Sequence, residues 1–278
     1  MDLSIQALIM GLVQGLTEFV PVSSSGHLIL VPWALGWTDP FIDSLEFTVL
    51  LHMGTLVALI VYFWHDWLVL IPAGLASIRD RSIGGDPDRR TAWLLVVATI
   101  PAVVVGPLLS DTIENWVREP ALVAAMLCVG AAILWLADRW GAKVRDMDSM
   151  TFGGALGIGI AQVLSLVPGI SRSGVSISAG LLEGLNREAA ARFSFLMATP
   201  VVAGAGVWEA RKLITGEGGT SPELRLLLIG FVAAATSGIL AIHFMLEFLR
   251  RRPVTLFVVY RVLAAAAVFV ILLSPHGA

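Results

Sequence analysis

Two short polar segments interrupt an otherwise apolar chain, residues 21–27 (PVSSSGH) and residues 168–174 (PGISRSG). The side chains they bring are hydroxyls, one imidazole and one guanidinium. The fork of Arg172 matches the oxygens of a phosphate bidentately. Serine beside histidine supplies a nucleophile and its base, and it equally supplies a phosphate ligand and a proton donor, with water as the attacking group. His27 is the side chain in these segments that can move protons near neutral pH. Ser23, Ser24 and Ser25 also have a plainer use, as caps of the helix that follows. Glu18 precedes the first segment and Gln14 lies one helical turn before it, on the same face. That pair either balances Arg172 or offers oxygen ligands to Mg²⁺ or Ca²⁺, with waters or substrate oxygens completing the shell.

Chemistry of this kind needs a scaffold, and the composition says where it sits. The chain has 278 residues, 57% hydrophobic and 14% charged, whereas an ordinary soluble domain carries about 25% charged residues. Apolar runs recur along its whole length with polar gaps between them, as in a helical protein that crosses a membrane several times. The net charge of −3 points to no nucleic acid. The single cysteine, Cys128, lies in an apolar run, which excludes an intrachain disulfide and a multi-thiolate metal site. The start, MDLSIQALIMG, lacks the basic flank of a cleavable signal, so it is expected to belong to the fold.

Apolar stretches of spanning length fall near 45–65, 91–110, 120–138, 187–212, 224–249 and 254–273. Two more, 3–35 and 150–184, are broken at their centres by the polar segments. The expected fold is therefore an all-α polytopic membrane protein of six transmembrane helices plus two re-entrant helix–loop–helix hairpins. New helices should start near Leu28 and Val175, so that their free N–H groups face an anion. Each hairpin is followed by three crossings, and Gln14 to Gly26 repeats the spacing of Gln162 to Gly174. Three is odd, so the halves, about 1–138 and 150–274, should form an inverted repeat within one integral membrane domain.

Charge sets the expected orientation. With 66–90, 139–149, 185–192 and 250–252 on the cytoplasmic side, those loops hold twelve Lys/Arg, against four (Arg118, Arg211, Lys212, Arg225) opposite. The first hairpin then opens outward, the second inward, and their tips meet near mid-membrane. His52 is either a neighbour of the site or a helix-to-helix hydrogen bond, while His65, His243 and His276 lie near membrane edges. Trp64, Trp67, Trp93, Trp116 and Trp140 sit near helix ends, as interfacial anchors do.

On these residues the chain resembles the undecaprenyl-diphosphate phosphatase family of the bacitracin-resistance type, over nearly its whole length. The family's Glu/Gln-x-x-x-Glu motif stands here as Gln14 to Glu18 and runs into PVSSSGH, and its Pro-Gly-x-Ser-Arg-Ser-x-x-Thr motif stands as PGISRSGVS, residues 168–176. The resemblance implies a hydrolase that converts undecaprenyl diphosphate to the monophosphate and inorganic phosphate, assisted by a divalent cation. It implies a bacterial plasma membrane location, a site open to the outer face, and roles in peptidoglycan synthesis and bacitracin resistance. By the same resemblance Ser24 and His27 are the nucleophile and its helper, Glu18 and Gln14 serve catalysis or metal, and Arg172 holds the diphosphate. Ser23, Ser25, Gly26, Ser171, Ser173, Gly174 and Ser176 are the further candidate binding residues. Ser176 replaces the usual Thr and keeps its hydroxyl. Gln14, where some members carry Glu, can bind a cation through its amide oxygen but cannot serve as a base.

Two rivals were weighed. The type 2 phosphatidate phosphatase signature needs a histidine where Ser178 stands, and no Lys precedes Arg252–Pro253 at the required spacing. A transporter or flippase of polyprenyl phosphate would use the same anion site without cleavage, and an inverted repeat suits it. The sequence leaves a homodimer open.

Overall fold

The computed structural model describes residues 1–116, 119–214 and 224–274. Arg118 and His276 lie outside the described residues. Among the described residues eleven α-helices carry the fold: α1 (Leu3–Phe19), α2 (Ser24–Leu35), α3 (Leu45–Tyr62), α4 (Trp64–Arg79), α5 (Pro87–Trp116), α6 (Pro120–Trp140), α7 (Phe152–Val163), α8 (Arg172–Leu182), α9 (Arg187–Ile214), α10 (Leu224–Arg251) and α11 (Thr255–Leu273). Among the described residues the β contribution is one isolated bridge, Arg145 with Leu185.

Local chemistry starts several of these helices. Asp2 caps α1 by accepting from the Ser4 amide at 2.7 Å, and Thr151 caps α7 by accepting from the Gly154 amide at 3.0 Å. Pro120 opens α6 at a position where its missing N–H costs nothing. Among the described residues five helices, α5, α6, α9, α10 and α11, are long and apolar enough to cross a membrane by themselves. The chain is an all-helical polytopic membrane protein.

One expectation is corrected. Residues 66–90, expected to be a loop, contain α4, which continues from α3 through an 81° bend. The turn falls at Phe63, and α4 lays its length against α5, where the Trp93 indole donates to Ser77 Oγ at 2.7 Å. Asp66, Pro72 and Arg79 gave this stretch a loop-like composition, yet Asp66 is paired with Arg192 and Arg79 sits in the last turn of α4.

The hairpin arms pack in matching ways. α1 lies along α10 and α7 lies along α5, while α3 also packs on α10 and α9 on α5. Small residues permit the close approach. A Cβ added to Gly11 would come within 2.7 Å of Ala233 Cβ, and one on Gly159 would collide with the Ala98 backbone. At one end of the bundle, charged residues from several segments pair with one another. Arg187 binds Asp138 (2.6 and 3.1 Å), Arg250 binds Glu188 (2.6 Å), and Arg145 donates to the Glu183 carbonyl (3.0 Å).

Candidate active site

Both hairpins break in the same manner. The residue before each second arm, Ser23 and Ser171, has a positive φ (76° and 79°) that costs about 1–3 kcal/mol for a residue with a side chain. Each then caps its helix, the Ser23 hydroxyl accepting from the Gly26 amide at 3.2 Å and the Ser171 hydroxyl from the Gly174 amide at 3.1 Å. The caps start α2 at Ser24 and α8 at Arg172, earlier than the expected Leu28 and Val175. The polar motif residues thus occupy first helical turns rather than loops.

The tips touch directly. Ser23 Oγ accepts from the Gly169 amide at 3.1 Å, and Ser173 Oγ donates to the Val20 carbonyl at 3.3 Å. Between them lies a pocket of about 310 Å³ lined by Glu18, Ser24, Ser25, His52, Ser171 and Arg172, among others. Glu18 is its hub. Oε1 accepts from Arg172 Nη2 at 3.0 Å, and Oε2 accepts from Ser24 Oγ at 2.5 Å and from Gln14 Nε2 at 3.2 Å. Arg172 is 12% exposed, and its Nε and Nη1 have no hydrogen-bond partner. A buried guanidinium with two uncommitted donors in a pocket is a receptor for anionic oxygens.

Gln14 is fully buried and its Oε1 is likewise unpartnered. That amide oxygen, the Glu18 carboxylate and the Ser24 hydroxyl are all hard oxygen donors, which fits a divalent cation shared with substrate oxygens. No cluster of three or more His, Cys, Asp or Glu suited to a metal occurs among the described residues, so the protein alone would supply only part of a coordination shell.

The other candidate residues divide into those facing the pocket and those behind it. Ser25 and Ser171 line it. Ser23 and Ser173 join the two tips, as described. Ser176 points into the helix packing, donating to the Arg172 carbonyl (2.7 Å) and meeting Ser194 Oγ at 2.6 Å. Gly26 and Gly174 leave little space, since an added Cβ would sit 3.2 Å from Ser23 Oγ and 3.1 Å from Arg261 Nη1 respectively.

His27 stands apart from this group. Its Nδ1 donates to the Ser23 carbonyl and its Nε2 bonds the Tyr260 hydroxyl, both at 2.7 Å, and its ring stacks on Tyr260. It is buried and does not line the pocket. His52 does line it. Because His52 Nδ1 donates to the Thr48 carbonyl at 2.8 Å, the neutral ring keeps the Nε2 lone pair available.

Arg261 on α11 was missed in the sequence. It is 0% exposed and donates to four carbonyls, Leu127 (3.0 Å), Pro21 (3.2 Å), Gly169 (2.6 Å) and Ile170 (2.9 Å). One side chain therefore holds the backbone of both tips. An arginine inside a crossing is costly and by default functional, and that signal was present at position 261.

The chain matches the family described as bacitracin resistance protein BacA over residues 7–267. It is 45% identical over 268 residues to a protein of Desulforudis audaxviator, covering 96% of this chain and 97% of that one. It is 44% identical over 265 residues to a protein of Moorella thermoacetica, covering 95% and 96%, and 44% identical over 269 residues to one of Gemmatimonas aurantiaca, covering 97% and 98%. Each of the three bears the name undecaprenyl-diphosphatase.

Proposed function

The chain belongs to the bacitracin resistance protein family, and from that premise we infer that it is an undecaprenyl-diphosphatase. It hydrolyses undecaprenyl diphosphate to the monophosphate and inorganic phosphate. The observation that carries the reading at atomic level is the meeting of Arg172 with Glu18 and Ser24 in one pocket inside an apolar helical bundle. The relatives are named for hydrolysis, so a carrier that uses the same anion site without cleavage is not favoured.

We propose the following roles. Arg172 turns its two free donors to the oxygens of the diphosphate and offsets the charge that develops on them during transfer. Ser24 Oγ attacks the terminal phosphorus while its proton passes to Glu18 Oε2. The bond from that phosphorus to the bridging oxygen breaks, the monophosphate leaves, and water then releases phosphate from the serine. His52 Nε2 is the acceptor for that water's proton. His27 positions the first tip through Ser23 and Tyr260. Glu18 and Gln14 would hold Mg²⁺ or Ca²⁺, which would supply positive charge to offset that of the phosphate.

The wider setting is part of the same proposal. The protein lies in the bacterial plasma membrane, its two halves run in opposite senses, and the site opens to the outer face, where it returns the lipid carrier to peptidoglycan synthesis. The arginine-rich ends that pair at one end of the bundle support this orientation. The decisive experiment measures phosphate release from undecaprenyl diphosphate by the purified chain in detergent with Mg²⁺. Release that is lost in Arg172→Ala and Glu18→Gln supports the reading; lipid movement without release, in the same preparation, overturns it. Light scattering of the detergent complex tells a monomer from a homodimer.

A further inference from the structure

Beside the site, and sharing Ser165, Leu166, Val201 and Ala205 with it, lies a second cavity of about 350 Å³ between α5, α7 and α9. Its walls are mostly apolar. Two of its lining residues, Gly106 on α5 and Gly204 on α9, meet nothing within 4 Å where a Cβ would stand. These glycines therefore do not serve close packing, unlike Gly11 or Gly159. They keep the groove open. At Val103 the groove joins a larger apolar crevice of about 570 Å³ between α4 and α5. On its other side the site runs past Leu28, Ile29 and Thr48 toward Asp43, Asp39 and Thr38, so that arm has mixed walls and an acidic end.

One polar side chain does not fit an apolar groove by chance. Gln162 lines it, is 2% exposed, and has no hydrogen-bond partner for either its amide nitrogen or its amide oxygen. Buried amides are normally satisfied. It lies three and four positions before Ser165 and Leu166, two of the four residues shared with the phosphate pocket, which places it toward the groove's inner end.

We propose that this groove is the subsite for the first isoprene units of the lipid substrate. Gln162 donates there to the phosphate-ester end of the chain, and Gly106 and Gly204 set how much hydrocarbon is admitted. The proposal rests on the hydrolase reading and adds to it the route of the tail. The occupant is argued from continuity. A molecule with its diphosphate on Arg172 and an apolar chain must leave the pocket by one arm, and among the described residues this arm is the more apolar of the two, passes an unsatisfied amide and continues into a larger apolar crevice, whereas the opposite arm ends at Asp43, Asp39 and Thr38.

The test uses the full chain in detergent and a farnesyl diphosphate analogue carrying a diazirine on its terminal isoprene. After irradiation and digestion, the adducts are expected on the peptides that contain Gly106 and Gly204. The double variant Gly106→Leu, Gly204→Leu fills open space. It is expected to cut that labelling at least fivefold and to raise KM for undecaprenyl diphosphate about tenfold, with kcat within twofold of the parent. Gln162→Leu should raise KM for undecaprenyl diphosphate severalfold. Adducts confined to the opposite arm, on Leu28, Ile29 or Leu51, would overturn the proposal, as would an unchanged KM in the filled variant. If the double variant does not fold, the labelling of the parent protein decides alone. Absence of phosphate release by the parent protein is read separately and bears on the hydrolase reading, not on the route.

Discussion

The two hairpin tips share a frame and differ in what they carry. Ser23 and Ser171 have nearly the same strained φ, make the same cap and precede helices that begin at matching positions. On that frame the first tip bears an acid and a hydroxyl, Glu18 and Ser24, and the second bears a cation, Arg172. Where the second tip would repeat Glu18 it has Leu166, which lines the pocket as plain hydrocarbon. Duplicated backbone geometry has thus been divided into complementary halves, so neither tip is a site alone. The charge that each would find expensive in lipid is met by the other.

Substitutions can break or sharpen this division of labour. Arg172→Ala removes the cationic half and leaves Glu18 buried without its partner; phosphate release should fall about a hundredfold to a thousandfold, as loss of one preorganised donor to a developing oxyanion does, and the fold should lose about 3–5 kcal/mol of stability. A loss below tenfold would show that the tips are not complementary. Ser24→Ala removes the hydroxyl and should cost at least about a hundredfold. Mass analysis of the loop peptide during turnover should then lose its phosphoseryl species, and a phosphate-free parent peptide would favour direct attack by water.

The two histidines sharpen the contrast between facing the pocket and bracing it. His52→Ala is expected to lower kcat about a hundredfold, the low end of what general acid–base groups contribute, with thermal stability preserved. His27→Ala should instead lower the melting temperature in detergent, because it breaks the links to Ser23 and Tyr260. The reverse pattern would exchange their roles. The smallest effect separates the caps. Ser23→Ala and Ser171→Ala each lose a cap worth about 1 kcal/mol, and Ser23→Ala should be the more destabilising because its hydroxyl also accepts from Gly169 of the other tip. Equal shifts in thermal unfolding would deny that cross-link.

Much of this was legible in the sequence because membranes restrict what a polar residue can mean. The broken runs at 21–27 and 168–174 marked the hairpins, and an arginine and a glutamate at membrane depth required partners, which they found in one another. The crossings were legible by length. What could not be read was helical phase and contact at long range. Ser23 and Ser171 cap earlier than expected, which turns His27 toward Tyr260, a residue 233 positions away, and no local spacing announces that neighbour. α4 escaped notice because its charged and proline residues mimic a loop, while its 81° turn away from α3 depends on the packing of α5. Arg261 was hidden differently: its partners are carbonyl groups, which every residue possesses and no residue type reveals.

The place of that last side chain in the chain has a consequence for the order of assembly. Because α11 follows both hairpins in the order of synthesis, Pro21, Gly169 and Ile170 wait for Arg261 before their carbonyls are spanned. During translation the nascent chain can insert its earlier helices with the catalytic centre still unlatched, and chain segments ending before residue 261 should remain so. The two tips are thus joined last, by a side chain that is itself closed off from every surface.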